Sequence, residues 1–262
     1  MPKKFPPVGR CIYCGTSSGC LSDEHIIAYG LNGTAELPQA SCADCAETTS
    51  RIEQDFLRGP AWPMRAAFGF QTRRPKDVPK DFPVYVTNDG IQRKVMLPVA
   101  QYPLILSLPL FRLRPGYLED RVVSGIEVTG VVSISLAPGI KPSDVLETTR
   151  KSLGVDTLEL PSFDAFSFGR MVLKSAYALT VAEHGLSRIE EPLAAPAILG
   201  QKNDLGTLLG STPDVSAPEN AQHITRVTIQ SRKGDSIAVV MMKLLGTLPA
   251  PIYVAVTARM KP

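Results

Sequence analysis

The sequence predicts an α+β protein in two parts: a small cysteine-stapled module, then a larger domain of antiparallel strands with one long helix. Three observations carry this. All five cysteines lie within the first 45 of 262 residues, and four of them form two CxxC pairs, Cys11/Cys14 and Cys42/Cys45. From about residue 81 the chain reads as β-branched or alternating runs broken by Pro and Gly. Within that region, residues 164–183 hold the longest apolar pattern at helical spacing. The expected division is a module over 1–60, a basic linker over 61–80 and an α+β domain over 81–262.

Composition sets the outer bounds. Hydrophobic content of 44% with 20% charged residues suits a chain that folds around a core and excludes wholesale disorder. A net charge of +3 does not by itself point to nucleic acid, so local charge distribution must carry that argument. The start, MPKKFPPVGR, has charge but no apolar run behind it and is not expected to be a secretory signal. No apolar stretch is long enough to span a membrane, and Ile237 to Leu245, broken by Lys243, reads as a core strand. Paired cysteines without a signal peptide point to a reducing, cytoplasmic compartment and to metal ligation rather than disulfides.

Taken in order, the first ten residues form a Pro-rich basic arm. Cys11 to Gly15 is the first knuckle, where two intervening residues let both sulfurs reach one ion and Gly15 supplies a permissive turn. With the second CxxC, the four thiolates suit one tetrahedral structural Zn2+. Cys20 is left over, a small apolar filler or free thiol. Leu21 to Ile27 reads as a strand that places Asp23 and His25 on one face and Glu24 on the other. A neutral imidazole, with a free pKa of about 6.5, can take a proton from water near neutral pH. A carboxylate beside it can hold a divalent ion against a scissile phosphate. Gly30 to Pro38 is a loop with Asn32-Gly33 as its turn. Ser41 then caps a helix from Cys42 to about Arg58, with Cys45, Thr49, Ile52 and Phe56 as its buried stripe and Gly59-Pro60 as its stop.

The order CxxC, DEHIIAYGLNG, SCADC opening a helix resembles the zinc-containing branch of the HNH endonucleases, over residues 8–60. The resemblance implies a ββα-metal unit with zinc at Cys11, Cys14, Cys42 and Cys45 and with His25 as general base. It makes Glu24 the ligand of a catalytic Mg2+ or Mn2+, ahead of Asp23. Family members often carry Asn or His just after the last knuckle cysteine or a turn later. This chain has Ala46 there, and the substitute ligand is expected to be Glu47, Asp44 or a residue from elsewhere in the chain. The function implied is metal-dependent DNA cleavage. The alternative is a zinc-stapled nucleic-acid-binding module that has lost its catalytic metal.

Residues 58–80 hold Arg58, Arg65, Arg73, Arg74, Lys76 and Lys80 against Asp77 alone, with Trp62, Phe68 and Phe70 interleaved. Directly behind the helix, this is the candidate phosphate-binding segment for a DNA partner, and also reads as a solvated linker whose aromatics pack back on the module, two compatible readings. Beyond it, strands are expected over 82–87, 102–108, 121–128, 130–136, 222–230, 236–245 and 251–259, with a hairpin turn at 232–235. A short helix is expected over 141–153 and a connector over 158–161. Residues 193–220 have no period and are expected to wrap the surface. On the long helix Lys174 reads as solvent-facing and His184 as a helix-end residue favoured by the dipole. His223 carries no assignment. The remainder loosely resembles the helix-plus-sheet tail of similar bacterial HNH proteins, with a role in target recognition, homodimer formation or regulation.

Overall fold

The computed structural model describes residues 3–162, 164–215 and 219–262. The first two residues of the arm, and 216–218 of the aperiodic segment, lie outside the described residues. The chain is a mixed α+β fold with antiparallel sheets around one long helix. The first sheet holds β1 (Lys3–Lys4), β2 (Ser22–His25) and β3 (Ala35–Ser41), in the order β1-β3-β2, and α1 (Ala43–Leu57) follows. β3 begins inside the stretch read as loop. Only the tip is irregular: Asn32 takes a left-handed φ of 62°, and a Cβ on Gly33 would lie 2.0 Å from the Ile27 carbonyl oxygen. The basic arm is ordered from Lys3 by parallel pairing with β3.

α1 buries Cys45, Thr49, Ile52, Phe56 and Leu57, the expected stripe. Its N-cap is Cys42 rather than Ser41, without a side-chain capping bond, because this end is shaped by the second knuckle. The stretch expected as a basic linker folds back over the module. It forms α2 (Trp62–Ala67) and a 3-10 turn at Pro75–Asp77.

The next strands are β4 (Asp81–Asn88), β5 (Ile91–Pro98), β6 (Ile105–Phe111) and β7 (Val128–Ser135), followed by α3 (Pro142–Leu153) and β8 (Thr157–Glu159). β5-β4-β8 make one sheet and β6-β7 a ribbon. The strand expected over 121–128 is a correction: residues 121–127 are not in a strand. Gly125 turns with φ 69°, and its backbone bonds Asn203 and Gly206 instead of a ladder partner.

α4 (Ala165–His184) is the axis of the molecule. Asp164 caps it, its carboxylate accepting from the Phe166 N–H at 2.8 Å. After it come β9 (Ile189–Glu191), α5 (Ala195–Ile198), α6 (Leu205–Leu208), β10 (Leu209–Val215), β11 (His223–Arg232), β12 (Asp235–Leu244) and β13 (Pro251–Met260). The last sheet runs β10-β13-β12-β11, with β9 also on β13. Lys233 and Gly234, both at positive φ, close the expected two-residue hairpin. The 193–220 segment does not simply wrap the surface: Ala194, Ala197, Ile198, Leu205 and Leu208 are buried. Four-residue helices are too short to display a period, and the small side chains let the backbone pack closely.

α4 is buried nearly all round, between the module on one side and the β9–β13 sheet on the other. The larger of two hydrophobic clusters runs from Cys11 and Phe56 through Phe168 and Tyr177 to Tyr253 and Met260, and the smaller lies around Phe82, Val84 and Tyr102. Polar bonds cross the same junction. The Tyr177 hydroxyl donates to the Ile12 carbonyl at 2.8 Å, and the Ser167 hydroxyl to Asp55 Oδ2 at 2.8 Å. His223 lies within 2.7 Å of the Leu31 carbonyl oxygen through Nε2, while its Nδ1 accepts from Leu245 N–H. Among the described residues no helix is long and apolar enough to cross a membrane.

Candidate metal centre and nucleic-acid interface

The two knuckles close on one point. The Sγ atoms of Cys11, Cys14, Cys42 and Cys45 all lie within 4.8 Å of one another, with Cys14 and Cys42 3.6 Å apart. Tetrahedral zinc at about 2.3 Å from each sulfur needs sulfurs about 3.8 Å apart, so the four fit a structural zinc. The local backbone favours it: Gly15 takes φ 77°, and the Ile12 N–H bonds the Ala40 carbonyl at 2.8 Å, joining the first knuckle to β3. Burial pushes the Cys45 thiol up. At Cys11, backbone hydrogen bonding outweighs burial and brings the thiol down to about 7. Sulfurs this crowded cannot all ionise unless a cation sits among them. Cys20 stands apart, exposed and free.

Along α1 from the cysteines, a cleft of about 970 Å3 opens between β2, α1 and the basic segment. Of the residues singled out in the sequence, Asp23, Glu24, His25, Glu47, Arg58, Arg65, Arg73 and Arg74 all line it. Lys76 is exposed on the 3-10 turn and is not part of the lining.

His25 ends β2 with its side chain 14% exposed. Arg73 Nη2 lies 3.0 Å from Nε2, and Glu36 Oε1, on the neighbouring strand, lies 3.4 Å from Nδ1. A guanidinium can only donate, so Nε2 accepts and the ring proton sits on Nδ1, facing Glu36. Burial lowers the His25 pKa below its ordinary 6.5; Glu36 opposes this, and the Lys174 and Arg73 charges reinforce it. This shift favours the neutral ring. Tyr29 flanks it with ring centroids 5.5 Å apart, and the Arg73 guanidinium also lies 5.9 Å from the Tyr29 ring centre.

Glu24 and Asp23 part company on β2. Glu24 points inward, 6% exposed, while Asp23 is exposed and its Oδ1 accepts from the Gln39 N–H at 3.1 Å. The ladder is irregular between Ser22 and Glu24, yet Glu24 and Asp23 still lie on opposite faces. The partner of Glu24 is Lys174 of α4. Its Nζ lies 2.5 Å from Glu24 Oε1 and 2.7 Å from Glu53 Oε1, and it also donates to the His25 carbonyl. This corrects the solvent-facing reading of Lys174, which is 1% exposed. α4 has packed layers on both sides, so its mid-section offers no wet face. The signal was available: residues 166–182 contain only Arg170 and Lys174 as charges in an otherwise uncharged run, the mark of a helix buried all round. Burial would push the Lys174 ammonium down, but the two carboxylates more than offset it and its pKa is raised. Burial, with Glu53 as a like charge, raises the Glu24 pKa against the pull of Lys174.

The remaining residues have distinct surroundings. Arg65 donates to the carbonyls of Gly30 at 2.7 Å, Leu57 at 2.8 Å and Gln71 at 3.2 Å, which makes it a strut for the basic segment. The Gln71 N–H bonds Asn32 Oδ1 at 2.9 Å and fixes the same fold-back. Glu47 is exposed and pairs with Arg51 at 2.9 Å. Arg58 and Arg74 are exposed at the cleft, Arg74 with Asp77 3.9 Å away. Arg58 and Trp62 also border an apolar cavity of about 310 Å3 against Phe82 and Tyr102.

The expected catalytic metal does not fit this arrangement as the zinc does. Among the described residues, only the four cysteines bring three or more such donors within 4.8 Å of one another. Glu24 and Glu53 converge on an ammonium instead. The chain matches no family model, and no curated protein or solved structure matches it.

Proposed function

We propose that the chain is a nucleic-acid phosphodiesterase on an HNH-like frame, a DNA endonuclease in which His25 is the general base. The observation that carries this is the placement of His25: Nε2 turned to a basic cleft and 3.0 Å from the exposed Arg73, with Glu36 behind the ring at Nδ1. A phosphate entering the cleft competes for Arg73, and its departure frees Nε2 to take the proton of an attacking water. Arg73, Arg74 and Arg58 neutralise the phosphate, and Glu36 stabilises the imidazolium that forms. Zinc at the four cysteines holds the first knuckle to the start of α1 and takes no part in the reaction.

A second reading is favoured by the tie between Lys174 and Glu24 and by Ala46: the same cleft binds nucleic acid without cutting it. Incubating zinc-loaded protein with supercoiled plasmid, with and without added Mg2+ or Mn2+, separates the two. Nicking by wild type that is lost in His25→Ala supports the endonuclease. Binding without nicking supports the second reading, and nicking unchanged in His25→Ala contradicts the role of His25.

A further inference from the structure

Two carboxylates from different elements and a backbone carbonyl surround one point beside the cleft: Glu24 Oε1 on β2, Glu53 Oε1 on α1 and the His25 oxygen. Such hard oxygen donors are the set a divalent ion takes. The atom at that point is Lys174 Nζ, whose three N–H donors are matched by three acceptors. A dication cannot share the position with an ammonium at contact distance. The other acids near the cleft have partners of their own: Glu47 has Arg51, Asp77 has Arg74, Asp23 has the Gln39 N–H, and Glu36 faces His25.

We propose that Lys174 is the resident cation behind the cleft wall: its ammonium, delivered by the long helix, takes the place of a divalent metal between Glu24 and Glu53. The cleft then takes up no Mg2+ or Mn2+. Lys174 acts as a positioning residue, holding both carboxylates and, through the carbonyl, the strand end that carries His25. A fixed monocation leaves the phosphate charge to the arginines, and it makes the site depend on the C-terminal part of the chain for its charge balance.

Zinc-loaded full-length protein titrated with Mn2+, with free Mn2+ followed by electron paramagnetic resonance, tests this without nucleic acid, so its outcome is separate from that of the nicking assay. Wild type should show no stoichiometric site tighter than about 1 mM. Lys174→Ala should gain one Mn2+ site at least tenfold tighter, and Lys174→Ala/Glu24→Gln should lose it again. If Lys174→Ala does not fold, Lys174→Gln, which keeps donors but not the charge, replaces it with the same expectation. A wild-type Mn2+ site that disappears in Glu24→Gln overturns the proposal, as does a folded Lys174 variant that gains no site.

Discussion

His25 and Lys174 mark the limits of what single residues disclosed. The sequence identified His25 through its acidic neighbours, but its working partner is Glu36, eleven positions on and across the β2–β3 ladder, where no local pattern could place it. Lys174 lies 149 positions from His25, and its burial follows only from the packing of α4 on both sides. Two outcomes follow at this scale. The proposed cleavage needs the neutral ring, so the rate should be flat above pH 6.5 and fall as pH drops through an apparent pKa below that value. Glu36→Gln removes the charge that raises the His25 pKa and should shift the fall to still lower pH. A pH–rate profile at saturating DNA measures both. Lys174→Ala leaves the buried Glu24 and the half-buried Glu53 without their cation, which costs about 3–5 kcal/mol for a broken buried pair. Denaturant unfolding reads that loss, and removing the buried one of the two charges with Glu24→Gln should recover part of it.

Elements were legible where one face is wet. α1 shows its stripe because its outer side carries Glu47, Arg51 and Gln54, and the 232–235 hairpin shows its turn residues. β5 escaped notice because it is an edge strand with almost no buried side chain. Its Asp89-Gly90 turn, both residues at positive φ, was the signal that could have found it. The 193–215 region was missed because its helices are four residues long. The α1–α4 contact offers a direct test of packing. Phe56 meets Phe168 edge-on at 4.9 Å, and both are fully buried. Phe56→Ala should cost about 3–5 kcal/mol in denaturant unfolding. At the N-terminal end of the same helix, Cys42→Ser should lower bound zinc, read by metal analysis, and speed hydrogen exchange through the first turn of α1.

At the scale of the molecule, the α+β class and the zinc-type cysteine cluster were legible, because composition and spacing encode both. The way the parts meet was not, because nothing local encodes which face of a module packs on a distant helix. A core continuous from Cys11 to Met260 should unfold in one cooperative calorimetric transition, whereas two resolved transitions would place the module apart. Affinity for DNA should fall with salt, and Arg74→Ala should lower the slope of log K against log salt by about 1. The central claim is that His25 performs the chemistry in a cleft that holds nucleic acid by other means. Single-turnover cleavage of a labelled DNA duplex by wild type and His25→Ala at equal occupancy tests it most directly. The expected result is a rate lower by about 100-fold or more in the variant, with affinity unchanged within about twofold, which is under 0.5 kcal/mol. Equal rates, or an intact duplex with fully bound wild type, would contradict it.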